Sequence, residues 1–424
     1  MSFARILFRR TLILGAGSAS GRLLPLLALL ALGRTQTPDG YASISAAFAW
    51  TAVAASLTTA GLSQVLAQRL ADTEQPSLQH RLVARSAIAA IILVAALASL
   101  VLKIGPYRAS AFFGNVIDTE VFVPAVIAGA FWPLTMICVS ICNGLHITRA
   151  AATIVATGGL LQGLGLSFGT LIDGTPRSAI WGLAFGTCAA LAFASLLVIR
   201  HLPSKQAKRS SGSNPPLPSL FLPALWSTLA AACVVPVTFF ASSLVVYGPR
   251  GAEELAMFHA LEQVHIIAVY GSGIISQALL PLLTKHLKGQ DNKHLLQRAF
   301  FTVALIGIAG IIVAALLGLQ PKWLEMALGH HILFDPWAVR FMLLNASLAM
   351  TLALIGSMLI ALGKFKAASL LNVLWAATLV GFALMWREHG SAGIQAARWS
   401  ASVLLALITG SLLYQTIITR SQAR

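Results

Sequence analysis

About twelve times along this chain a run of roughly 20 mostly apolar residues passes with almost no charge, the length an α-helix needs to cross about 30 Å of hydrocarbon at 1.5 Å per residue. The first six runs lie near 11–33, 41–67, 84–102, 121–144, 150–172 and 179–199, and the second six near 220–247, 255–283, 299–319, 337–362, 368–386 and 396–418. Runs this long show neither the one-sided stripe of a soluble helix nor the alternation of a half-buried strand. Only 10% of the 424 residues are charged and 57% are hydrophobic, where an average soluble domain has about a quarter charged. A soluble globular enzyme is excluded. The expected fold is all-α, a polytopic membrane protein of about twelve transmembrane helices.

The formal charge of +16 raises the question of nucleic acid. The 29 Lys and Arg are spread over short gaps between apolar runs rather than gathered in a patch, so no nucleic-acid partner is expected. About nineteen of them fall in gaps on one side of the membrane and about seven on the other, leaving Arg22, Arg340 and Arg398 inside spans. Basic loops are retained in the cytoplasm, which places both termini there and requires an even number of spans. The first run is span-length and no small-residue cleavage site follows it, so it reads as a span rather than a secretory leader.

Residues 200–219 carry Lys205, Lys208, Arg209, a Ser-rich stretch and Pro215, Pro216 and Pro218. They read as a basic cytoplasmic linker between two equal halves, a six-helix lobe over 1–199 and another over 220–424. Ser63-Gln64-Val65-Leu66 recurs as Ser276-Gln277-Ala278-Leu279, and Arg149-Ala150-Ala151 as Lys366-Ala367-Ala368, at corresponding places in the halves. Internal duplication is the expectation.

No enzyme motif is present. A Gly-rich loop ending in Gly-Lys-Ser or Gly-Lys-Thr is missing, so the chain carries no nucleotide-driven motor. Cys138, Cys142, Cys188 and Cys233 sit in apolar spans without His or carboxylate companions and read as small buried hydrophobes. Glu262 and His265 have Glu-x-x-His spacing, but a di-metal site needs a second copy and further Glu residues. No metal site and no cofactor are expected.

Charged residues inside spans are costly and functional by default. Arg22 lies about eleven residues into the first span, about 16 Å deep, too far to snorkel to either interface. It serves either as a cavity cation or as an arginine tied to backbone carbonyls at a helix contact. Nearby Gly17 and Gly21 have the small-x-x-x-small spacing of close helix approach, and Pro25 removes a backbone hydrogen bond. Glu262 is the carboxylate placed within a span, with His259, Gln263 and His265 beside it. That face suits a counter-charge for Arg22, a proton-coupling site or hydrogen bonds to a polar substrate, or else merely lines a wet vestibule. Arg340 and Arg398, near the outer ends of their spans, are expected to snorkel. Polar residues run along spans two and seven, from Ser43 to Gln64 and from Ser227 to Tyr247. Trp181, Trp323, Trp337, Trp386 and Trp399 mark an interfacial belt.

The two six-helix halves, the basic central loop, the early-span Arg and two sets of segments resemble the multidrug/oligosaccharidyl-lipid/polysaccharide (MOP) exporter superfamily. The segments are Asp39-Gly40-Tyr41-Ala42 with Ala60-Gly61-Leu62-Ser63, and Phe258-His259-Ala260-Leu261-Glu262-Gln263 with Ala278-Leu279-Leu280-Pro281. The polysaccharide-flippase branch fits best. The resemblance implies two pseudo-symmetric six-helix lobes around a central cavity lined by spans one, two, seven and eight, with alternating access. It also implies a flippase carrying polyprenyl-pyrophosphate-linked oligosaccharide from the cytoplasmic to the periplasmic leaflet of the bacterial inner membrane, for cell-surface polysaccharide biosynthesis. Its partners would be the lipid-linked glycan, membrane lipids and polysaccharide assembly machinery.

On this reading Arg22, Ser63, Gln64, His259, Glu262 and Gln263 are the candidate substrate-binding residues. Glu262 and His265 are the candidates for coupling to H+ or Na+. Two alternatives stay open, a MATE-like drug/cation antiporter of the same superfamily and a membrane glycan polymerase or ligase. The latter generally needs a large outer catalytic loop, and the longest outer gaps here are only those near 103–120 and 320–336.

Overall fold

The structure, a computed structural model, describes residues 12–17, 19–21, 24–25, 27–29, 32, 38–73, 75–112, 119–202, 221–247, 252–286, 292–320, 322, 324 and 335–422. Among these residues the fold is all-helical, with no strand. After helical residues of the first span come α1 (Pro38–Thr58), α2 (Ala60–Asp72), α3 (Pro76–Phe112), α4 (Thr119–Gly144), α5 (Thr148–Asp173) and α6 (Pro176–His201). The second half has α7 (Phe221–Ala232), α8 (Val235–Ser243), α9 (Ala252–His286), α10 (Asn292–Leu319), α11 (Pro336–Ala361), α12 (Phe365–Trp386) and α13 (Gly390–Gln422). Among the described residues, each of the twelve expected spans coincides with helix. Spans two and seven are each broken in two, as α1 with α2 and α7 with α8.

Both breaks have local causes. At the first, Ser56 and Thr58 turn their hydroxyls back onto the Val53 and Ala54 carbonyls, a bond that bends helices. At the second, Pro236 cannot donate to the preceding turn. Helix ends follow ordinary capping. Gly174 (φ 72°) ends α5 in the left-handed region, Thr175 caps α6 by accepting from the Ser178 amide, and Pro176 fills the first turn. Asp335 caps α11 in the same way, accepting from the Trp337 amide at 2.9 Å.

The chain divides into two compact units, Met1–Ala232 and Cys233–Arg424. The short helix α7, counted by sequence with the second half, packs in the first unit against α2. The core of that unit is built from small and branched residues, among them Ala28 and Leu29 of the first span, Ile44 and Ala47, Ala125 and Ala128, Leu166, and Ile180 and Leu183. In the second unit α11 is central, packing on α9, α10 and α13 through Met257, Leu261, Val339, Met342 and Leu343.

Large apolar side chains also cover the outside. Phe301, Leu305, Ile308, Ile312 and Leu316 recur at helical spacing on α10 and are all exposed, a patch water would not tolerate but lipid does. Among the described residues, the helical stretch over α12 and α13 together with seven others is long and apolar enough to cross a membrane. Trp181, Trp337 and Trp386 sit at helix ends, as an interfacial belt requires, with ring contacts to Phe185, Phe341 and Phe382, whereas Trp399 lies more than two turns into α13 against Phe341 and Trp323 falls outside the described residues. Cys138 and Cys142 are buried as expected. Cys188 departs from the expectation because it is exposed on the apolar outside of α6.

Candidate intramembrane charge site

Helices α9 and α13 of the second unit begin together, and their facing sides carry most of its buried polarity. On α13 the buried polar residues are Ser391, Gln395, Arg398, Ser402 and Thr409, spaced by four, three, four and seven so that they share one face. On α9 Glu254 and His265 are buried, and Glu262 is one-fifth exposed. The register is set at two places. Glu254 accepts from the Ser391 amide at 3.0 Å, satisfying one of the unpaired donors at the α13 N-terminus where the helix dipole also favours a negative charge. Two turns further on, Arg398 donates through both terminal nitrogens to Glu262, Nη1 to Oε2 and Nη2 to Oε1, the second at 3.4 Å.

Gly390 makes the first of these contacts fit. Its φ of +56° is a conformation side chains avoid, and a Cβ there would stand 2.8 Å from the Glu254 carboxylate. Below the ion pair the polar face continues. Trp375 of α12 donates its indole N–H to Ser402 Oγ at 3.2 Å, and Ser402 donates to Asn345 Oδ1 of α11 at 2.7 Å. His265 lies one turn from Glu262, within the field of both Glu262 and Arg398 and against the Met342 backbone. Several polar atoms of this column have no hydrogen-bond partner among the described residues: Ser391 Oγ, both amide atoms of Gln395, Arg398 Nε and His265 Nδ1. Each such atom, sealed from solvent, costs about 1–3 kcal/mol if left unpaired.

In the first unit, α7 crosses α2 at backbone distance over Gly61, where a Cβ would run into the Thr228 nitrogen and the Ala224 carbonyl. Three residues later Gln64 Oε1 accepts from Ser227 Oγ at 2.5 Å. The first span lies on α5 in the same manner, with Gly17 on the Ala152 backbone, Gly21 on Val155, Gly159 on Gly21 and Gly163 on Leu24 and Pro25. A second glycine pair on α5, Gly165 and Gly169, meets Gly182 and Ser178 of α6. The close approach expected at Gly17 and Gly21 is therefore present, and its partner is α5.

Of the candidate residues, Glu262 and His265 are brought together. Ser63 donates to the Ala60 carbonyl, and Gln64 is held by Ser227. Arg22 lies outside the described residues, as do the side chains of His259 and Gln263 and most of the 200–219 linker. One expectation is corrected. Arg398 does not snorkel: its side chain is 5% exposed and paired with Glu262, because α13 begins at Gly390, two turns before the apolar run it was read from. Glu254, just ahead of the span as read from the sequence, is also buried, in the first turn of α9. Arg340 is half-buried, its Nε donating to the Gly318 carbonyl at 3.1 Å and its guanidinium over the Trp337 ring. Among the described residues no group of His, Cys, Asp and Glu forms a metal site.

No protein-family model matches the chain. No curated protein matches it in sequence. Solved structures match over nearly the whole length. An outward-facing multidrug resistance MATE family transporter of the MOP superfamily superposes with a TM-score of 0.72 at 16% identity, covering 99% of this chain and 97% of that one. A MATE protein in the bent conformation gives 0.75 at 15%, covering 99% and 96%. A MOP superfamily transporter from Pyrococcus furiosus, described as having a binding pocket of reverse polarity that suggests a different function, gives 0.75 at 16%, covering 97% and 95%. At this identity the likeness is one of fold: the chain is a multi-pass membrane protein with the fold of MATE transporters.

Proposed function

We propose that this protein is a secondary transporter of the bacterial cytoplasmic membrane, moving an amphipathic organic solute outward by alternating access in exchange for a cation. The observation that carries the reading is the Glu262–Arg398 pair with His265 beside it, inside the membrane-spanning part of a chain that matches transporters along its length. A charge placed there is costly and is retained where it does work. Paired, the carboxylate is neutralised in place. A proton or Na+ that displaced the guanidinium would exchange one buried arrangement for another, the two-state change that coupling requires.

A second reading is favoured by Arg22, whose sequence position sets a cation about 16 Å into the first span. It is the flippase reading, in which the substrate is a polyprenyl-pyrophosphate-linked oligosaccharide and the partners are membrane lipids and the polysaccharide assembly machinery. A pyrophosphate and its sugars do not enter hydrocarbon unaided, since each unsatisfied polar group costs several kcal/mol. Expelling roughly two negative charges from a negative interior is favoured by about 4–5 kcal/mol per 100 mV. Both readings keep both termini in the cytoplasm.

One pair of experiments separates them. In proteoliposomes, efflux of a cationic dye driven by an imposed pH or Na+ gradient, and lost in Glu262→Gln, supports the exchanger. In depleted cells, a labelled glycan lipid trapped in the inner leaflet, without loss of dye exchange, supports the flippase and overturns the first reading.

A further inference from the structure

The unpaired atoms of the α9–α13 column form a series rather than a scatter. From the Glu254 contact to the ion pair the helices rise about 12 Å, and Ser391 Oγ, the Gln395 amide and Arg398 Nε succeed one another along that rise, with His265 Nδ1 just beyond. All four side chains are more than nine-tenths buried, and Gln395 is completely so. A wholly buried amide with neither end bonded to protein is rare, and such groups are ordinarily satisfied by internal water making two to four hydrogen bonds. The interval suits water: successive α13 residues on one face are about 5–6 Å apart, a gap that one bridging molecule spans with a hydrogen bond to either side.

We infer that Glu254, Ser391, Gln395, Arg398, Glu262 and His265 hold a single file of bound water, which is the route by which a proton reaches the Glu262–Arg398 pair from the end where α9 and α13 begin. The inference rests on the reading of Glu262 as the coupling carboxylate. It goes beyond it by naming the proton as the coupled ion and Gln395 as a positioning residue on its path. The groups facing the file support that choice. Among the described side chains these are Glu254, Glu262 and His265 of α9 and Arg398 of α13. Asn345 of α11 and Trp375 of α12 are polar but uncharged, and Arg340 of α11 is turned away onto Gly318. Arg387, Glu388 and His389 lie exposed at the mouth, in the turn before α13. Both Glu262 oxygens are taken by the guanidinium, so the file offers a metal cation few of the oxygen ligands it needs, whereas a proton needs only one acceptor and a hydrogen-bonded chain.

The test uses the full chain in lipid nanodiscs and requires no transported solute, so failure of dye exchange counts against the transport reading and not against the file. Hydroxyl-radical labelling by X-ray radiolysis reads bound water beside buried side chains. His265 is expected to label several-fold faster than the equally buried Phe258, and to fall to the same level in Gln395→Leu, a swap that keeps the volume and removes the amide. Equal labelling of His265 and Phe258 in the native chain overturns the file. Infrared spectra after a pH jump then follow protonation of the Glu262 carboxylate, assigned by its loss in Glu262→Gln. Gln395→Leu is expected to slow that band by about tenfold. An unchanged rate, or no band assignable to Glu262 at any pH, overturns the proton route.

Discussion

Replacing Arg398 by Met keeps the bulk of the side chain and removes its charge, leaving Glu262 facing a site closed on nearly all sides. Arg398 is 5% exposed and Glu262 20%, so neither partner recovers full hydration when the other is lost. Removal of one member of a buried pair costs about 3–5 kcal/mol, whereas replacing both by neutral groups of similar size is often close to neutral. Arg398→Met and Glu262→Gln are therefore each expected to lower stability by about 3 kcal/mol or more, a shift of at least about a hundredfold in the folding equilibrium. The double variant is expected to recover most of that loss. The measurement is reversible unfolding in mixed micelles titrated with sodium dodecyl sulfate, read as a double-mutant cycle. A coupling energy near zero, with the double variant as weak as the sum of the singles, would show that the two charges are solvated independently and refute the reasoning.

Four further outcomes are expected. Gly159→Leu drives a side chain into the Gly21 backbone and costs about 3 kcal/mol, seen in the same micelle titration, while substitution at the unobstructed Gly271 costs far less. Gly390→Ala pairs a Gly-only backbone conformation with a clash on Glu254 and loses about 1–3 kcal/mol, measurable as earlier exchange of the Ser391 amide with deuterium. Ser402→Ala strands the Trp375 indole and the Asn345 carbonyl at about 1–3 kcal/mol each, with a shift in Trp375 emission. On the flippase reading, Arg22→Ala is expected to abolish glycan-lipid export while the protein still inserts, checked by leaflet-specific labelling, and near-normal export counts against that reading.

The positions of the spans were legible because hydropathy reports directly on what touches lipid, and the small-residue spacing at Gly17 and Gly21 announced a helix contact without naming its partner. The charge site was only half legible. Hydropathy averages around a helix, so the polar face of residues 391–395 read as chain outside the membrane although it points into the bundle. That error moved the start of the last span to Ala396 and made a buried arginine look interfacial. Ser391, Gln395, Arg398 and Ser402 do fall at helical spacing, and that periodicity was the available signal. Glu254 was hidden in the same way at the start of span eight. The pairing of Glu262 with Arg398, residues 136 apart in sequence, follows only from the helix packing.

The glycine contacts between the first span and α5 have a consequence for how this chain can change over time. Main chain rests on main chain there, so neither helix has side-chain slack to absorb a larger neighbour. A methyl gained at position 21 must be answered by a shift of the backbone at 155, one at 159 by a shift of the backbone at 21, and one at 163 by a shift of the backbone at Leu24 and Pro25. Relatives are accordingly expected to alter these positions jointly or not at all, and that covariation is open to inspection in any sufficiently deep set of their sequences.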